Sequence, residues 1–457
     1  MTDAAAAVDL PVRRRLRRPV DAQERRLYRL LIVAAVAGRV PTSAMALIPT
    51  LLVQSAGGSL QTAGIATAAF LMVSGLSAPL RGRRVDRAGY GGGLVVPAVA
   101  SCVIAVVVAA LVGETVLAGP LGIGLLAAIG IAWPPIGIAV QKGWRTLRPS
   151  PADQEAVFAL DVALQRISLV LGPLLAGALT AVASPRAALA AVAVLNAAAV
   201  GLIGALPLGR AAAAPRMRTR RRRLPQGPPR SLRTLLPTVL LTDAAIGFVQ
   251  VGVPGFMASH GSAALAGPIV AVFLLASASG ALLLSRLSFA RPIDARYQLV
   301  VRASVLGLAP LSLVDTRAGL AAAAVFAGLA VAAKVPTAVA LAARLTPADH
   351  HAETMGWLIS ASWVGVAIGA AVAGVVGDAF GPRAALTGVP VSAAIAAGFL
   401  YLRRHRLRAD VEAADAAAAS CPYSRCSSPT TGDSVKPPTL RTASSTPGMK
   451  ETRSIVS

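Results

Sequence analysis

The sequence predicts an all-α integral membrane protein, with twelve transmembrane helices in two pseudo-symmetric six-helix bundles. Three observations carry that reading. The 457 residues are 55% hydrophobic and only 14% charged, and the mean hydropathy is +0.67, far above that of a soluble globular chain. Apolar runs near the roughly 20 residues that span a bilayer recur along the chain. Two pieces of sequence return 197 positions apart, the mark of an internal repeat.

Residues 1–26 form a basic arm that includes Arg13, Arg14, Arg15, Arg17 and Arg18. The apolar run after it is too long for a signal-peptide core, and no small-residue cleavage site follows, so it reads as a retained first helix. Twelve runs are predicted to span: 29–53, 59–80, 91–113, 117–140, 157–181, 187–208, 235–258, 262–285, 297–315, 318–343, 354–377 and 384–402. They are continuous rather than alternating, which argues against strands. Ala, Gly, Val and Leu dominate, and small residues let helix backbones approach in lipid. The first bundle is 27–208 and the second 235–408. Between them, 209–234 is a cytosolic linker holding Arg216, Arg218 and the run Arg220 to Arg223, then Pro225, Pro228 and Pro229. From 409 to 457 the chain is rich in Ser, Thr, Pro and Ala without apolar periodicity, which predicts a disordered cytosolic tail. Of the three cysteines, Cys102 falls within a run, while Cys421 and Cys426 lie in the tail. They suggest neither a disulfide framework nor a zinc site.

The basic residues orient the chain. With both termini in the cytosol, 38 of the 44 Lys and Arg lie in cytosolic segments. The outside loops hold only Arg186, Arg317 and Arg383. This is the positive-inside pattern of a multi-pass protein of the cytoplasmic membrane. The net charge of +24 is therefore assigned to topology and to anionic lipid headgroups, not to nucleic acid.

The repeat is specific. Gly172-Pro-Leu-Leu-Ala-Gly177 precedes Pro185-Arg-Ala-Ala-Leu189, and Gly369-Ala-Ala-Val-Ala-Gly374 precedes Pro382-Arg-Ala-Ala-Leu386, with the same offset of 197. Pro-Ala-Asp occurs at 151–153 and again at 347–349. Repeated halves place a binding site between them, near the bilayer midplane.

The polar stretch Gly82-Arg83-Arg84-Val85-Asp86-Arg87-Ala88-Gly89 lies between the second and third runs and reads as a tight cytosolic turn. Here the sequence resembles the major facilitator superfamily, whose signature at this place is matched by Gly82, Asp86, Arg87 and Gly89. Tyr90 and Gly91 stand where the family has basic residues. The resemblance covers roughly 27–408 and implies a secondary transporter with two rocking six-helix bundles. It also implies that Asp86 closes a gate by facing the cytosolic end of the eleventh helix, where an N-terminal dipole attracts it. The segment Gly172, Pro173 and Gly177 resembles the helix-five motif of the family's drug and metabolite exporters, with Ser168 and Ala176 replacing two of its residues. Gly38-Arg39-Val-Pro41 is similar to the first helix of some of these exporters.

Charges inside the membrane are candidates for the transport pathway. Arg39 in the first helix, Asp161 and Arg166 in the fifth, Asp243 in the seventh and Lys334 in the tenth qualify, with Gln165 and Gln250 as neutral polar companions. Asp161, Gln165, Ser168 and Gly172 share one helix face, from which Arg166 points away. In the resembled fold the fifth helix packs beside the first, which implies that Asp161 can pair with Arg39 across helices, whereas Asp243 and Lys334 have no evident neighbour in sequence. Three cations against two acids leave the interior net positive, which predicts a substrate with an acidic group. Asp243 and then Asp161 are the proton-coupling candidates. No acid lies in the first or fourth helix, and Trp133-Pro134-Pro135 stands in the fourth in place of an exporter arginine.

No phosphate-cradling loop, nucleophilic triad or metal-ligand cluster emerges, so the sequence suggests neither an enzyme nor a nucleotide-driven pump. The expected function is proton-coupled efflux of a small molecule by a monomer without cofactors. An uptake porter for an anionic nutrient and a non-transporting sensor on a transporter scaffold are the alternatives.

Overall fold

The computed structural model describes residues 22–147, 151–206, 232–285, 292–346 and 351–419. Among these no strand occurs. Apolar runs fold this way because a helix satisfies each backbone N–H and C=O within its own segment, where lipid offers no partner. The first half runs Ala22–Ala44 continued by Ile48–Ser55, then Leu60–Tyr90, then a π-helical turn Gly91–Val95 leading into Val96–Leu111. Pro120–Ala132 continued by Ile136–Leu147 makes the fourth span, and Pro151–Val182 and Pro185–Ala205 follow. The second half is Leu235–Ser259, Ala266–Ser285, Ile293–Leu308 with Pro310–Leu313, Arg317–Val331 with Lys334–Leu345, His351–Phe380 and Pro382–Leu402.

Among the described residues, eleven helices are long and apolar enough to cross a membrane. The ninth falls short of that measure because the chain is interrupted at Ala309 and Pro310 after a helix of 16 residues. The twelve-helix reading is thus roughly consistent with the structure.

Two expectations need correction. The stretch Gly82–Gly89 is not a loop: the second helix runs through it to Tyr90. Helical turns keep the backbone bonded through this polar segment. Glycines then make the return, and a Cβ on Gly93 would sit 2.5 Å from the Cα of Val85. The surroundings of Gly82, Asp86, Arg87 and Gly89 lie outside the described residues, so the gate role of Asp86 is not visible. The second correction concerns the tail, which is helical over Arg404–Ala419. Leu407 and Val411, one helical turn apart, are buried against Leu232, Leu235 and Leu400. Two apolar residues at that spacing are enough to dock a charged segment, and they are too few to register as a periodic pattern. Residues 1–21, most of the basic linker (207–231) and 420–457 lie outside the described residues.

The core has an asymmetric layout. One apolar cluster joins both halves, from Leu52, Leu60 and Phe70 to Phe256, Ile269 and Leu386. It sits at the end where Gly57, Gly261 and Gly381 make the turns with positive φ that glycine tolerates. Toward the opposite end the core divides. Leu31, Val85, Trp144 and Ile203 belong to a cluster of the first half alone. Tyr297, Leu341, Leu400 and Leu407 belong to one of the second half alone. The halves are therefore joined at one end and separately packed at the other.

The repeat explains the join. Gly172 abuts Ser43 of the first span, and Gly177 abuts Ala264 and Gly267 at the start of the eighth. Their counterparts behave alike: Gly369 abuts Ala244 of the seventh span, and Gly374 abuts Leu60 and Gly64 of the second. In each repeat one glycine packs within its own half and the other packs across to the partner half. A Gly369→Val substitution should therefore lower the thermal midpoint in detergent, costing about 1–3 kcal/mol by overpacking. Gly124→Ala, at a position where a Cβ meets nothing within 4 Å, should leave the midpoint unchanged or raise it slightly.

Candidate functional site

Among the described residues, each half buries one ion pair. In the first half Arg39, 8% exposed, meets Asp161, 3% exposed. Arg39 Nη2 lies 2.8 Å from Asp161 Oδ1 and 3.0 Å from Oδ2. Trp144, in the second segment of the fourth span, donates its indole N–H to Oδ1 at 2.9 Å. Tyr28 tilts against the Trp144 ring at 5.3 Å between centroids. Three spans thus converge on one carboxylate. Arg39 Nη1 is buried without a hydrogen-bond partner, an incomplete satisfaction that costs on the order of 1–3 kcal/mol.

In the second half the ammonium of Lys334 donates to Asp243 Oδ1 and lies 3.5 Å from the Thr242 carbonyl. Both side chains are buried. Lys334 opens the segment that resumes the tenth span after Ala332 and Ala333. A cation at a helix N-terminus opposes the helix dipole, and Asp243 offsets that cost as well as the burial. Tyr297 of the ninth span belongs to the same cluster as Val239 and Ala338, one helical turn from Asp243 and Lys334 on their own helices. Its ring is fully buried and its hydroxyl has no partner. Gln250 is half-buried, and its Oε1 also lacks a partner.

The expected meeting of Arg39 with Asp161 is present. Asp243 and Lys334, which had no evident neighbour in sequence, pair with each other. The net-positive interior expected from counting charges therefore resolves into two compensated pairs, with Arg166 outside both. Arg166 is half-buried and Gln165 exposed, and neither binds Asp161. The helix-five motif lies in a continuous helix despite Pro173. It serves as a contact surface, with the Pro173 carbonyl and Gly177 both against Gly267 of the eighth span.

One residue escaped sequence reasoning. Arg81 had been counted only toward topology. Pro134 has no N–H to give the Gly130 carbonyl, so the fourth span breaks at Trp133-Pro134-Pro135. Arg81 donates to the freed carbonyls of Gly130, at 3.4 Å, and of Trp133, and to the Ser74 carbonyl of its own helix. A cation at the C-terminal end of a half-helix is favourable. Trp133 donates in turn to Thr42 Oγ1 at 3.0 Å, tying the break to the first span three residues past Arg39. The adjacent prolines inside an apolar run were the signal.

Residues 235–447 match the family model of the Major Facilitator Superfamily. No curated protein sequence matches the chain. Its fold is similar to that of the nucleoside transporter NupG, with TM-score 0.63 and 13% identity over 82% of this chain and 98% of that one. It is similar also to a bacterial homologue of the human lysosomal transporter Spinster in an inward-facing, unoccupied conformation, with TM-score 0.60 and 13% identity over 85% and 98%. A third is the human organic anion transporter MFSD10, with TM-score 0.56 and 18% identity over 82% and 99%. The family match covers the second half of the chain, and the likeness to these solved structures is one of fold.

Asp161→Leu and Arg39→Met should each destabilise the protein by roughly 3–5 kcal/mol, since each leaves a buried charge alone. The double variant should recover most of that loss, measured as thermal midpoints in detergent; additive losses would show that the pair is not coupled. Trp144→Phe keeps the ring but removes a donor to a charged acceptor, and should cost about 1.5–3 kcal/mol.

Proposed function

We propose that this protein is a secondary active transporter that exports a small molecule across the cytoplasmic membrane in exchange for protons. The observation that carries the reading is a buried ion pair in each half of a fold whose halves join at one end only. That arrangement suits alternating access, in which the open end closes as the joined end parts. The positive-inside count supports cytosolic termini and, with them, a cytosolic open end.

Asp243 is the coupling residue in this reading. When its carboxylate takes a proton, the pair dissolves and Lys334 is left charged in a low-dielectric site. Leaving one partner of a buried pair uncompensated costs about 3–5 kcal/mol. An acidic group on the substrate competes with the Asp243 carboxylate for Lys334, and the proton enters on Asp243 only as the substrate leaves, so that proton and substrate occupy the site in turn, as exchange requires. Arg39 and Asp161 serve as the corresponding charge of the first half, with Trp144 holding the carboxylate in register. Arg166, Gln165 and Gln250 line the remainder of the pathway, and Asp86 and Arg87 act at the cytosolic gate. The likeness of Gly172, Pro173 and Gly177 to exporter sequences supports the outward direction.

Counterflow in proteoliposomes tests the reading. Wild type should exchange a labelled organic acid, and an imposed pH gradient should drive its accumulation. Asp243→Asn should retain exchange but lose the pH-driven accumulation, while Lys334→Ala should reduce exchange of acidic solutes at least tenfold. Full exchange by Lys334→Ala would refute the acidic-substrate assignment. Absence of exchange for every acid and drug tested would favour a sensor, and accumulation driven inward by the proton gradient would indicate an uptake porter. In a background freed of native cysteines, Gly57→Cys should react with an impermeant maleimide applied outside cells, and His405→Cys should react only after permeabilisation.

A further inference from the structure

At the open end of the second half, a cavity of about 500 Å³ is lined by Arg233, Phe399, Arg403, Arg406 and Asp410. Three separate pieces of chain supply it: the residues that lead into the seventh span, the last turn of the twelfth, and the helix Arg404–Ala419. This is not a loose basic fringe. Leu407 and Val411 are 0% and 7% exposed, so the helix that carries Arg406 and Asp410 is fixed against the bundle. The guanidinium of Arg403 lies over the Phe399 ring, 5.9 Å from its centroid, which fixes a second cation beside an apolar wall.

Among the described residues, Arg233, Arg403 and Arg406 form no ion pair. Their neighbour on the same helix behaves differently, since Arg408 pairs with Glu412 at 2.9 Å. Three cations and one carboxylate around one cavity leave an excess of positive charge that only an anion from outside relieves. Guanidinium groups match phosphate oxygens in planar, two-pronged geometry. The apolar side offered by Phe399 suits the region next to a lipid phosphate.

We propose that this cavity binds the phosphate headgroup of an anionic phospholipid. Basic pockets between spans on the cytosolic side are suited to such headgroups. The site deepens the anionic-lipid contact expected from the sequence, and it rests on the orientation given above. It does not rest on transport.

The test uses the full-length protein in a neutral detergent, with thermal midpoint as the readout. The probes are short-chain phosphatidylglycerol, short-chain phosphatidylcholine and inorganic phosphate. Phosphatidylglycerol should raise the wild-type midpoint in a saturable way, and phosphatidylcholine should not. The triple variant Arg233→Gln, Arg403→Gln, Arg406→Gln should weaken the apparent affinity on the order of a hundredfold. A control that removes basic charge from the same helix outside the cavity, Arg404→Gln with Arg408→Gln, should respond as wild type. A response to inorganic phosphate equal to that for phosphatidylglycerol would overturn the lipid assignment and leave a free-phosphate site. No response to either probe, or equal losses in the triple variant and the control, would overturn the site altogether. Because neither orientation nor solute movement enters this readout, failure here is separable from failure of the transporter reading.

Discussion

The fold depends on how charge is kept in a low-dielectric interior. Among the described residues, two buried carboxylates, Asp161 and Asp243, and two buried cations, Arg39 and Lys334, are each compensated by an opposite charge on another helix. Arg39 with Asp161 fixes the first span to the fifth, and the indole of Trp144 brings in the fourth. Lys334 with Asp243 fixes the tenth to the seventh. An unpaired ion at these depths would cost several kcal/mol, a large fraction of a typical folding free energy.

The breaks in the helices follow the same logic. Prolines in the fourth span release backbone carbonyls in a place where lipid satisfies none, and Arg81 takes them up. The tenth span is interrupted just before Lys334, and Asp243 supplies the negative charge that compensates the ammonium there. Irregular backbone at membrane depth is tolerable only where protein groups complete it. Both breaks lie beside, or one helix away from, the buried ion pairs.

Much of the architecture is legible along the chain because membrane insertion acts on local composition. Run length, continuous apolarity and the placement of Lys and Arg report spans and orientation without reference to tertiary contacts. The repeat is legible for a related reason. Gly172, Gly177, Gly369 and Gly374 sit where helices touch most closely, and only glycine fits there. The candidate site was legible in part. Which residues were charged at depth could be read directly, and Arg39 was matched with Asp161 correctly. The first pairing followed from the resembled fold, in which the fifth helix packs beside the first; nothing along the chain says which faces of the seventh and tenth helices meet, so the pairing of Asp243 with Lys334 could not be read. Arg81 was hidden among arginines whose sequence context signals topology alone. The helix beyond 403 was missed because two buried residues, Leu407 and Val411, decide it.

What the sequence by itself determined is therefore the list of spans, their repeat and the set of charges that need company, since each follows from the transfer free energy of a residue and its near neighbours. The tertiary structure alone decided which charge compensates which, that the core is shared at one end and divided at the other, and that Arg403 and Arg406 meet Arg233 around one cavity. Those outcomes depend on how helices distant in sequence approach one another, a matter of packing and Coulomb energy across space to which local composition contributes no term.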